Sequence, residues 1–80
     1  MIPLIMIQAG EKAVVLRFEG NGAEFSRVRS FGLDINTQLT VITSQADSGG
    51  PILIQVNGSK YAIDYNLAAR IMVAPDGAIE

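Results

Sequence analysis

The chain has 80 residues, 49% of them hydrophobic, a formal charge of −2, and neither cysteine nor histidine. That composition excludes disulfides, thiolate or imidazole metal ligation, and nucleophilic catalysis built on a Cys–His or Ser–His pair. Six basic residues against eight acidic ones also leave no basic excess of the kind a free-standing nucleic-acid binder carries.

Eighty residues make one domain, near the small end for folding without staples, so a dense apolar core is required. Met1 to Ile7 is apolar but far shorter than the ~20 residues that span a bilayer. It lacks the positive n-region and small-residue cleavage site of a signal peptide. The expectation is a segment packed on the core. The sharper alternative is a sticky strand in which Ile2, Leu4, Ile5 and Met6 join a second copy.

Gly10-Glu11 reads as a turn, and Lys12 to Glu19 alternates as a strand, with Val14, Leu16 and Phe18 on one face and Val15, Arg17 and Glu19 on the other. Gly20-Asn21-Gly22 breaks it without the spacing of a phosphate-binding loop. Ala23 to Phe31 predicts a short helix that turns Phe25, Val28 and Phe31 inward, stopped by Gly32 as a left-handed C′ residue, after which Leu33 packs back. Asp34-Ile-Asn-Thr is a turn, and Leu39 to Thr43 is another strand. Ser44 to Gly50 reads as a polar, flexible loop, and Pro51 as the start of an edge strand.

Ile52, Ile54 and Val56 then alternate up to Asn57-Gly58, a strong hairpin signal because a type I′ turn needs positive φ at both central residues. Tyr61 and Ile63 continue the pattern. Asp64 is placed to cap a helical turn over Tyr65 to Ala69, and Arg70 to Ala74 closes the chain's regular structure before Pro75. About five short strands with small interruptions predict a mainly β fold, a small barrel rather than a parallel α/β sheet.

Asp47-Ser48-Gly49-Gly50-Pro51 matches the nucleophile segment of trypsin-like proteases, but without histidine Ser48 has no base to activate it. The eight carboxylates form neither a calcium loop nor a paired acid–base site, so neither a metal site nor a cofactor is expected. Arg27 and Arg29 stand two apart and therefore on different helix faces; one is expected to meet nearby carbonyls and the other an acidic partner. Tyr61 and Tyr65 read as core-edge aromatics.

The ordered set of these features resembles the FeoA family of small SH3-like proteins in bacterial ferrous-iron uptake, to which the C-terminal domain of DtxR-type regulators is related. The resemblance is carried by Pro3-Leu4 with Gly10-Glu11, Arg27-Val-Arg-Ser-Phe-Gly-Leu33, Leu39-Thr-Val-Ile, Gly50-Pro51 with Ile54-Gln-Val-Asn-Gly, and Ala68-Ala-Arg-Ile-Met-Val. It covers about residues 3–74 and leaves a short tail at 75–80. Ile35-Asn36 departs from the family's frequent Pro-Gly, although Asn also tolerates the left-handed conformation.

The resemblance implies an SH3-like barrel with a short helix after the Lys12–Glu19 strand and a helical turn before the last strand. It implies a non-catalytic cytoplasmic accessory protein that acts on a FeoB-like permease through the permease's G-protein-like domain. Candidate partner contacts are then Arg27, Arg29, Phe31, Leu33 and Ser48, on one surface formed by the helix and the Ser44–Gly50 loop, with Ile2, Leu4, Ile5 and Met6 for self-association. The alternative implied by the same relationship is a metal- or peptide-sensing module.

Overall fold

The computed structural model describes residues 1–76, and of the 75–80 tail residues 77–80 lie outside the described part. Among the described residues six strands form one antiparallel sheet: β1 (Ile2–Pro3), β2 (Lys12–Phe18), β3 (Gln38–Ser44), β4 (Ile52–Val56), β5 (Ser59–Ile63) and β6 (Ile71–Pro75). They lie in the order β1-β6-β2-β3-β4-β5, so β5 and the two-residue β1 are the edges. The strand beyond the expected five is β1, which pairs with Val73 and Met72 of β6.

Two β-bulges shape the sheet. Opposite β6, the register of β2 shifts between Val15 and Arg17, and opposite β4 that of β3 shifts between Val41 and Thr43. A bulge sets two residues against one and bends the strand. It also breaks strict alternation. Ala13 and Val15 are buried, Leu16 and Arg17 are exposed, and Phe18 turns back toward Phe25 at 4.8 Å between ring centroids. The face assigned to Val14, Leu16 and Phe18 is therefore corrected to Ala13, Val15 and Phe18. For the same reason Leu39 and Val41 are buried while Thr43 is exposed.

The core comprises Leu4, Ile7, Ala13, Val15, Phe25, Val28, Leu33, Leu39, Val41, Ile52, Ile54, Val56, Ile63, Ala68, Ile71 and Val73, with no buried polar residue among the described ones. The expected Ala23–Phe31 helix is two pieces, a 3-10 turn at Gly22–Phe25 followed by α1 (Ser26–Ser30). Asn21 caps the first, accepting from the Ala23 amide at 2.9 Å.

Gly32 stops α1 as expected, at φ 103°. The Leu33 amide donates to the Val28 carbonyl and the Gly32 amide to that of Arg29, each at 3.0 Å, a Schellman closure. Asn36 takes the left-handed conformation at φ 71°, and Asn57 and Gly58 both have positive φ, as a type I′ hairpin requires. Asp64 caps α2 (Tyr65–Ala68) by accepting from the Leu67 amide at 2.8 Å.

Two expectations fail between β3 and β4. Pro51 does not open an edge strand, because β4 lies between β3 and β5. Its carbonyl instead accepts from the Gln45 amide at 3.1 Å. The segment read as a flexible loop is a closed 3-10 turn at Ala46–Ser48, in which the Gln45 carbonyl receives the amides of Ser48 at 3.1 Å and Gly50 at 2.8 Å.

Candidate functional site

The topology sorts the candidate residues into two ends of the sheet. α1 leaves the end of β2 and returns into the start of β3, whereas the Ala46–Ser48 turn leaves the other end of β3. Seven strand residues separate them, about 20 Å at ~3.3 Å per residue. The single surface expected to combine the helix with the Ser44–Gly50 loop is therefore split in two.

At the α1 end, Arg29 and Arg27 have different surroundings. The Arg29 guanidinium lies over the Phe18 ring, 4.7 Å from its centroid, and its Nε is 3.5 Å from the Asp34 carboxylate. Among the described residues neither arginine's side chain donates to a carbonyl, which corrects that expectation; Arg29 is held by a ring and a carboxylate. Arg27 is exposed and forms no ion pair among the described residues. Phe31 is half-buried and stacks on Tyr61 of β5, centroids 3.7 Å apart and planes 7° from parallel. Leu33 is wholly buried, so its side chain offers no partner contact; it anchors the helix end.

Arg70 forms a second cation–aromatic seat nearby. It lies 5.5 Å from the Phe25 centroid and pairs with Glu24, and its Nε donates to the Asn66 carbonyl at 3.3 Å. The sequence reading missed this residue as a structural anchor. Its only local signal is its position just after α2, because Glu24 and Phe25 are remote in the chain.

At the other end, the first residues form β1 and a 3-10 turn at Leu4–Met6. Leu4 is wholly buried, and Ile2 and Ile5 pack partly against the core, whereas Met6 is 62% exposed. The self-association set is thereby corrected: Leu4 belongs to the core and Met6 is the side chain available at the surface. Ile5, Met6 and Ile7 line an open hollow with Ser44, Ala46 and Asp47. Ser48 follows Asp47 in the chain and is not part of the hollow's lining; its hydroxyl donates to the Gln45 carbonyl at 3.2 Å. That bond engages the hydroxyl within its own turn. Among the described residues no three carboxylates gather as a metal-binding group.

The model of the FeoA domain family matches residues 2–75. A Methanocaldococcus jannaschii protein assigned as Fe(2+) transport protein A is 36% identical over 73 residues, which is 91% of this chain and 85% of that one. The crystal structure of an iron uptake regulatory protein, FeoA, superposes with a TM-score of 0.82 at 32% identity, covering 94% of this chain and 96% of that one. A manganese-dependent transcriptional repressor in complex with manganese gives a TM-score of 0.81 over 94% of this chain but 36% of its own, at 19% identity, a likeness of fold alone. The mainly β architecture is that of the small SH3-like FeoA structures.

Proposed function

The chain belongs to the FeoA domain family, and on that premise we propose that it is a non-catalytic, cytoplasmic accessory protein of ferrous-iron uptake acting by contact with a FeoB-like permease. The observation that carries this reading is the family match across residues 2–75, nearly the whole described chain. The composition supports a non-catalytic role: neither Cys nor His is present, and the Ser48 hydroxyl is engaged by a main-chain carbonyl.

Within this reading the α1 end meets the permease. Arg27 supplies an exposed cation, and Phe31 offers a ring held flat by Tyr61. Such a ring costs little conformational entropy to bury, and Arg and aromatic residues are the usual interface anchors. Arg29 acts by positioning, since it already spans Phe18 and Asp34. The opposite end, with Met6 and the hollow beside Ala46, serves association with a second copy.

The test is a pull-down against the soluble domain of the matching permease, with and without guanine nucleotide. Retention of the native chain, lost in an Arg27→Ala, Phe31→Ala variant that melts cooperatively, is expected. Equal retention of that variant would sink the assignment of the α1 end. No retention of the native chain by the soluble domain or by the full permease would sink the partner itself.

A further inference from the structure

β5 hydrogen-bonds to β4 on one side, and among the described residues no strand lies on its other side. The hairpin register identifies which backbone groups that leaves unmet. A two-residue type I′ turn makes its flanking residues, Val56 and Ser59, a hydrogen-bonded pair. Alternate pairs repeat the pattern, so Ile54 bonds with Tyr61 and Ile52 with Ile63. The amides and carbonyls of Lys60 and Ala62 therefore point away from β4. Both residues are exposed, and no loop or turn backbone group among the described residues meets them. Two donors and two acceptors thus stand about 7 Å apart along an open edge.

The two faces flanking this edge differ in chemistry. On the outer face Lys60 is exposed beside Gln55 and has no ion-pair partner among the described residues. On the other, Tyr61 carries the stacked ring of Phe31, and both are half-buried. Side chains of an added strand alternate between the same two faces.

We propose that the β5 edge accepts an extended segment of a partner protein as a seventh strand, its residues alternately acidic and apolar. The main chain of the segment bonds Lys60 and Ala62, its carboxylates face Lys60, and its apolar side chains cover Phe31 and Tyr61. This is strand addition, with affinity from the backbone and specificity from the alternating side chains. It goes beyond the permease assignment and holds whichever protein carries the segment. A second copy of this chain fits less well. Pairing two β5 edges about Tyr61 sets the two Lys60 side chains as diagonal neighbours on one face, about 7–8 Å apart. An edge lysine is a known device against such pairing.

The experiment uses the full chain and a fluorescent synthetic peptide of about ten residues alternating Asp or Glu with Val or Phe. Binding is expected, weakened by salt, and at least about tenfold weaker for a lysine-for-acid peptide. N-methylation of alternate peptide amides removes the ladder donors and is expected to abolish binding. Amide hydrogen exchange is expected to slow at Lys60 and Ala62 on binding. Lys60→Glu is expected to reverse the charge preference. Ala62→Pro deletes an amide that faces solvent in the free chain, and is expected to lose binding; should it fail to fold, Lys60→Glu decides. No binding of the acidic peptide up to about 1 mM, indifference to N-methylation, or unchanged exchange at Lys60 and Ala62 would each overturn the proposal.

Discussion

The two ends of the sheet are held by different means. At the α1 end side chains add to the backbone closure of the helix: Phe31 on Tyr61, Arg29 on Phe18 and Asp34, and Arg70 on Phe25 and Glu24. At the opposite end the fastening is chiefly backbone. The Gln45 carbonyl gathers the Ser48 and Gly50 amides, the Gly10 amide donates to the Val41 carbonyl at 2.7 Å, and the Val41 amide to that of Glu11 at 2.9 Å. Where side chains hold the fold, few are free to change. Where the backbone holds it, surface side chains such as Met6 can vary with little effect on stability, and so can be given over to contacts with other molecules.

The largest expected effect tests that contrast directly. Phe25 is wholly buried between Phe18 and Arg70, so Phe25→Ala should cost about 3–5 kcal/mol. In a domain of this size that lowers the melting temperature by more than about 12 °C. Met6→Ala at the other end should stay within about 0.5 kcal/mol. Comparable melting shifts for the two would remove the distinction between the ends.

A glycine pair sharpens it. Gly32 has φ 103°, and an added Cβ would stand 3.2 Å from the Asn57 Nδ2, whereas Gly49 has φ 75° and open space around it. Gly32→Ala should therefore cost about 2 kcal/mol and Gly49→Ala about 1, read from denaturant midpoints. The reverse order would mean that the Schellman closure is not what holds the helix end. Asp64, whose side chain caps α2, is a side-chain fastening near the backbone-held end; Asp64→Ala should cost about 1 kcal/mol in the same assay. The smallest effect is Glu24→Gln. Both partners of that ion pair are more than a third exposed, so solvent screening limits the loss to under about 0.5 kcal/mol despite the close contact.

Legibility followed the range of the interactions involved. The Asn57-Gly58 hairpin, the Asp64 cap and the Gly32 stop were readable because each depends on residues a few positions apart. The Ile52, Ile54, Val56 face was also readable, since β4 contains no extra residue. The inward face of β2 was not, because whether Leu16 bulges depends on how β6 pairs with it, some fifty residues away. Likewise, Ser44 to Gly50 looked flexible by composition, yet closes on the Gln45 carbonyl.

The candidate site divides along the same line. Arg27, Arg29 and Phe31 were singled out by the motif around the helix, and the structure does keep them at one end. That Leu33 packs back was readable from the Gly32 stop; that Arg29 is engaged, that Leu4 is the buried side chain of its turn, and that Ser48 lies at the far end of β3 could be seen only once the strands were paired. Residue order alone set the local vocabulary: turns, caps, helix stops and a mainly β chain with an apolar core. Those rest on backbone dihedrals and alternation, which neighbouring residues set. Adjacency came from the packed fold: the bulges, the edge position of β5, and which side chains are left facing water. Those follow from registers between distant strands, and the free energy that selects a register belongs to the packed core as a whole.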